Sequence, residues 1–144
     1  AAEPSGRDNV VTDFSGGSNS EFAYEVVELV NKVRAENGVG SVSTTPELMR
    51  AAQIRAEETV TLFEHTRPDG SSCFTAFDQN GASYRTAGEN IAAGQRSPEG
   101  VMRTWMNSPG HRANILNPDF NHIGVGCCQT NGGYGIYWTQ CFTD

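Results

Sequence analysis

The sequence predicts an α+β domain, with helices first and a β-hairpin last, layered on an antiparallel sheet. Capped helical runs start at Ser18, Thr45, Ser97 and Ser108, and two β-prone runs flank an Asn131-Gly132-Gly133 turn near the end of the chain. No strand-helix-strand alternation calls for a parallel sheet. At 144 residues the chain has the size of one domain that can bury a single core.

Residues 1–19 are rich in Ser, Gly, Asn and Asp and read as a polar N-terminal arm or linker, which leaves 20–144 as the folded domain. Ser18 and Glu21 have capping-box spacing, and Phe22, Val26, Leu29, Val30 and Val33 recur at helical intervals until Asn37-Gly38 ends the run. Thr45-Pro46 pairs an N-cap with a proline at the first helical position. Leu48, Ala51, Ala52, Arg55, Thr59 and Leu62 then carry one face on to Phe63. His65 falls at the exit of this helix, and Thr66-Arg67-Pro68-Asp69-Gly70 is turn chemistry.

Gly88 to Ala93 has the composition of a short strand. Ser97-Pro98-Glu99 repeats the cap-and-proline start, with Val101, Met102 and Trp105 on one face, and Ser108-Pro109 opens another short helix at a kink. Residues 114–120 join that helix to a hairpin of Ile123–Gln129 and Tyr134–Phe142. Trp105, Tyr137 and Trp138 are assigned to the core, since aromatics on a helix face and in a hairpin usually pack there.

Ten Lys plus Arg, with Lys32 the only lysine, stand against seventeen Asp plus Glu. No basic patch dense enough for a phosphate backbone can be assembled, so nucleic acid is excluded as a partner. The same balance argues against docking on an anionic lipid surface. No stretch approaches the roughly 20 apolar residues of a membrane span, so none is expected. A monomer is expected.

Cys73, Cys127, Cys128 and Cys141 are even in number and match no CxxC metal or redox spacing. That favours one or two disulfides in an oxidising compartment over buried thiols, with three pairings open. Adjacent Cys127 and Cys128 point to opposite faces of a strand and so have different neighbours.

Four segments together resemble the CAP superfamily (cysteine-rich secretory, antigen 5 and pathogenesis-related-1 proteins), especially its bacterial secreted SCP-like branch. They are His65-Thr66-Arg67-Pro68-Asp69-Gly70, Gly88-Glu89-Asn90-Ile91-Ala92, Trp105-Met106-Asn107-Ser108-Pro109-Gly110-His111-Arg112, and Ile123-Gly124-Val125-Gly126 with Tyr137-Trp138-Thr139-Gln140. The resemblance spans residues 21–143 and implies an α-β-α sandwich, a central antiparallel sheet covered by helices on both faces. It also implies a cleft of two histidines and two glutamates. His65 looks like the first histidine, Glu89 like the glutamate of the Gly-Glu-Asn motif, and His111 like the second histidine. The remaining glutamate position holds Ser108, so the set is incomplete.

The cleft residues suit two chemistries. Two neutral imidazoles, His65 and His111, fit a borderline divalent ion such as Zn²⁺, and two protein ligands alone imply weak, exchangeable binding. Glu89 or a histidine has the right type for a general base. The resemblance implies a secreted, extracellular module that takes a small lipid-like or peptide-like ligand. The alternative is a metal-assisted hydrolase of peptide or cell-wall material, with catalytic residues Glu89, His65 and His111. Ser108 activated by His111 is a further arrangement, although a serine before proline at a helix start is more often an N-cap.

Each residue has a structural alternative. His65 can cap the C-terminus of the second helix, Glu89 can accept backbone hydrogen bonds, and His111 can hold the kink. His122, beside the hairpin, reads as a surface or interface histidine.

Overall fold

A computed structural model describes residues 17–144. Among these residues five helices and four strands follow one another as α1 (Asn19–Glu36), β1 (Ser43–Thr44), α2 (Pro46–Thr61), α3 (Phe74–Gln79), β2 (Ala87–Ala93), α4 (Pro98–Met106), α5 (Pro109–Ile115), β3 (His122–Gln129) and β4 (Ile136–Thr143). The first sixteen residues of the expected 1–19 arm lie outside the described residues. The last of that span already belongs to α1, because the Ser18 hydroxyl accepts from the Glu21 N–H and the Glu21 carboxylate accepts from the Ser18 N–H.

The helix starts follow the caps in the sequence. Thr45 accepts from the Leu48 N–H and Ser97 from the Gly100 N–H, each with proline in the first turn. α1 stops at Asn37, followed by Gly38 at φ 73°, a conformation that glycine adopts without strain. α2 ends at Thr61, earlier than the apolar pattern suggested, and leaves Phe63 45% exposed.

The sheet order is β1-β3-β4-β2, with β3–β4 and β4–β2 antiparallel. β1 adds itself to β3 in parallel, a two-residue exception to the expected antiparallel sheet. β3 and β4 are joined by the six-residue loop 130–135, closed by Thr130 N–H to Gly135 O at 2.6 Å, which contains the expected Asn131-Gly132-Gly133 turn.

Side-chain alternation along the strands makes two layers. On one face Ile123, Val125, Cys127, Trp138 and Phe142 pack with Phe22, Val26 and Val30 of α1, Val101, Met102 and Trp105 of α4, and Ile115 of α5. On the other face Cys141 packs with Leu48, Ala51 and Ala52 of α2 and Ala76 and Phe77 of α3, while Cys128 and Tyr137 pack with Ala56. The result is the expected α-β-α sandwich. Trp105, Tyr137 and Trp138 are all in the core, as expected.

α2 lies directly on β3, because a Cβ at Gly124 would meet the Leu48 carbonyl and one at Gly126 the Ala52 carbonyl. That close approach sets the depth at which α2 presents Arg55 to the sheet.

The expected disulfides are absent. All four cysteines are buried thiols, and in the interior a thiol behaves as a small apolar group. Cys127 and Cys128 do face opposite layers.

Candidate functional site

Among the described residues, the sheet ends at β2, which pairs only with β4. Adjacent residues of β2 serve opposite layers: Glu89 lies beside Cys141, on the α2 face, and Asn90 beside Gln140, on the α5 face. The three residues singled out in the sequence converge on this edge. His65 comes from the segment after α2, Glu89 from β2, and His111 from α5.

Glu89 is buried and tightly held. Arg55, itself fully buried, donates from Nε to Oε2 at 2.7 Å and from Nη2 to Oε1 at 3.1 Å, a bidentate pair. Arg55 also donates to Glu58 Oε1 at 2.9 Å and to the Glu64 carbonyl at 2.7 Å. Burial alone lowers the Arg55 pKa, but the hydrogen bonds and charges of Glu89 and Glu58 outweigh it and raise it above the ordinary value. A charge on the apolar stripe of α2 requires an acidic partner. That stripe was legible in the sequence as Leu48, Ala51, Ala52, Arg55, Thr59, and it signals a buried charge in need of a partner without naming Glu89 as that partner.

His65 Nδ1 lies 2.8 Å from Glu89 Oε1, while the His65 side chain is 58% exposed. The hydrogen bond to Glu89 raises its pKa above the usual histidine value, against burial. Its backbone carbonyl accepts from the Cys73 N–H at 2.9 Å, and Thr66 bridges Ser72. The turn at Pro68-Asp69-Gly70 therefore folds the chain back on itself and brings Cys73 to the site. Arg67 ties this loop down, donating to both oxygens of Glu58 and to Thr75 and Gln79.

His111 is half-buried, with Nδ1 2.9 Å from Ser108 Oγ. Ser108 stands at the N-cap of α5 but makes no capping bond with its side chain, contrary to the capping role expected for it. Burial lowers the His111 pKa, and the charge of His65 lowers it further, so the two rings are near enough to interact electrostatically. Neither Nε2 has a hydrogen-bond partner among the described residues. His122, also half-buried, has its Nδ1 buried without a partner among the described residues and lies at the start of β3 on the far side of β4.

Among the described residues, the group with ligand types for a metal is His65, Cys73 and Glu89, whose ligand atoms lie within 4.8 Å of one another. It differs from the expected pair: His111 is not part of it, and Cys73 is. Spacing gave no hint of Cys73, because only the folded-back 66–72 loop makes it a neighbour of His65. A cation at this group would compete with Arg55 for both Glu89 oxygens. It would also have to deprotonate Cys73, whose pKa burial and the Glu89 charge push up to about 12. The Nε2 atoms of the two histidines carry no such obstacle, and a carboxylate behind one imidazole is the usual support of a metal-binding histidine.

The family model for the cysteine-rich secretory protein family, CAP, matches residues 27–142. The chain belongs to this family. The CAP domain is 41% identical over 133 residues to the uncharacterized protein YkwD of Bacillus subtilis, covering 91% of this chain and 50% of that protein. It is similar in fold to an extracellular SCP-domain protein of Bacillus anthracis, with a TM-score of 0.78, 24% identity, and 87% of this chain covering 41% of that one. It also resembles an outer surface protein of Borrelia burgdorferi, with a TM-score of 0.75, 19% identity, and coverage of 84% and 90%. The chain spans half or less of the length of the two Bacillus subtilis relatives it matches.

Proposed function

We propose that this CAP domain is a secreted binding module. Its cleft at the β2 edge takes a divalent cation weakly through His65 and His111, and a small lipid-like or peptide-like ligand beside it. The observation that supports this most is that both rings are engaged at Nδ1 by an oxygen, Glu89 Oε1 for His65 and Ser108 Oγ for His111. A proton on Nδ1 leaves the Nε2 lone pair of each ring available to a cation. Zinc bound there would act as a Lewis acid toward a carbonyl or water of the ligand. With two imidazoles as its protein ligands, the ion would complete its shell with water or ligand and exchange readily. Secretion is in keeping with the extracellular relative of similar fold.

Binding is favoured over hydrolysis because Glu89, the candidate base, has both oxygens in hydrogen bonds to Arg55 and His65 and its side chain is 1% exposed. A general base must reach the proton it abstracts, directly or through one water.

Calorimetry with zinc at pH 7.5 tests this reading. Wild type binds, His65→Ala and His111→Ala abolish binding, and Glu89→Gln weakens it by about 10–100-fold through loss of the outer support. Absence of binding by wild type ends the metal part of the proposal. Turnover of a peptide or cell-wall substrate that Glu89→Gln abolishes in a folded protein would replace binding by hydrolysis.

A further inference from the structure

The two histidines belong to different layers, and something must fix the distance between them. His65 is referenced to the sheet through Glu89 on one face of β2. His111 sits on α5, a helix of seven residues packed on the other face. A helix this short has little stability of its own and depends on tertiary contacts for its position.

Asn90 supplies such contacts. It is fully buried, next in the chain to Glu89, and turned to the opposite face. Its Nδ2 donates to the His111 carbonyl at 3.1 Å and to Gln140 Oε1 at 3.0 Å, and its Oδ1 accepts from Asn114 Nδ2 at 2.9 Å. Both ends of this amide therefore reach α5, through the backbone of His111 and the side chain of Asn114, while Gln140 anchors it to the neighbouring strand. Gln140 is held in turn by its Nε2 against Met102 Sδ at 3.6 Å. Asn114 Nδ2 also lies 3.5 Å from the Glu89 carbonyl.

We infer that Asn90 is the positioning residue that sets His111 against the Glu89–His65 pair. One peptide unit separates the carboxylate that orients the first ring from the amide that holds the backbone of the second. The strand thus acts as a rigid spacer between the two imidazoles. An apolar side chain at 90 would leave the His111 carbonyl and the Gln140 amide oxygen without this donor, and α5, still fastened at its C-terminal end by Arg34, would lose its tie to β2 at the His111 end.

The inference rests on the proposed metal cleft for one of its readouts and is independent of it for the other. Zinc binding is measured for wild type, Asn90→Ala and Asn114→Ala, with Val26→Ala as a control that makes a cavity in the core of the same layer. The two asparagine variants are expected to bind zinc at least tenfold more weakly, in the range that loss of outer-shell support produces, while Val26→Ala binds as wild type. Amide hydrogen exchange without metal is the second readout. Exchange in α5 accelerates at least tenfold more than in α4 for Asn90→Ala, whereas Val26→Ala shows no such bias toward α5. If Asn90→Ala does not fold, Asn114→Ala, at a half-buried position, carries both measurements. Equal acceleration in α4 and α5, or zinc affinity unchanged in folded asparagine variants, overturns the inference. Absence of zinc binding by wild type removes the proposed metal function and leaves the exchange result to decide on Asn90.

Discussion

Arg34 and Arg55 are both buried cations, one in each helical layer, and they are satisfied in opposite ways. Arg34, on α1, donates to four backbone carbonyls, those of Gly40 at 2.6 Å, Ile115 at 2.8 Å, Asn117 at 3.0 Å and Phe120 at 3.1 Å. These are dipoles, and burial pulls its pKa below the ordinary arginine value. Arg55, on α2, faces the carboxylates of Glu89 and Glu58, which raise its pKa despite burial. The first arginine fastens the end of α5 and the chain after it to α1. The second balances a carboxylate that orients a histidine at the surface. A buried charge with only carbonyl partners serves the scaffold here, and the one that extends through a carboxylate to an exposed ring belongs to the candidate site.

Removing the charges should separate these roles, with the largest effect at the carboxylates. Arg55→Leu strands Glu89 as an uncompensated buried charge and should cost about 3–5 kcal/mol. Adding Glu89→Leu should recover a large part of that loss, as read by urea denaturation of both single variants and the double variant. Arg34→Leu strands carbonyls instead, some of which water can satisfy, and should cost about 2–4 kcal/mol. In Arg34→Leu no acidic substitution should restore stability.

A smaller effect concerns the histidines and follows from the signs of their shifts. The folded pKa of His65 is raised, so its contribution to stability is full below its unfolded value of about 6.5 and is lost as pH rises through the folded value. His111 is depressed, so its contribution is present above about 6.5 and is lost as pH falls through the folded value. The Tm difference between wild type and His65→Gln should therefore shrink as pH rises past the His65 midpoint. Proton NMR should place that midpoint above the ordinary histidine value and that of His111 below it. Glu89→Gln should lower the His65 midpoint, because Glu89 is the chief cause of its elevation.

The smallest expected signal is chemical silence. With Cys73 pushed up to about 12 and Cys127 and Cys141 also raised by burial, a thiol reagent at pH 8 should leave the native chain unmodified and label all four cysteines once it is unfolded. Intact mass should be the same before and after reduction.

Much of the fold was legible because its signals are local. The capping box at Ser18 and Glu21, the Thr45-Pro46 and Ser97-Pro98 starts and the Asn37-Gly38 stop each act within a few residues, and each is found in place. β1 was missed because two residues carry no alternation, and α3 because six residues carry little periodicity. For the site, the sequence identified His65, Glu89 and His111 as candidates, but Arg55 and Cys73 reach Glu89 through tertiary structure that spacing does not encode. Ser108 shows the limit of local rules. Its position is that of a cap, but its hydroxyl bonds the ring one helical turn ahead rather than the backbone. The even cysteine count misled for a related reason, since parity says nothing about which thiols the core buries apart.

Trp105 contributes more than bulk to the core. Its indole N–H donates to the Ile91 carbonyl at 3.1 Å, on the strand that ends the sheet. An open strand margin is a template on which a second molecule can lay its own backbone, the first step toward fibrils and exchanged dimers. With that carbonyl taken by the indole, the margin of β2 offers an incoming strand one acceptor fewer, which makes the edge a poorer template for such pairing.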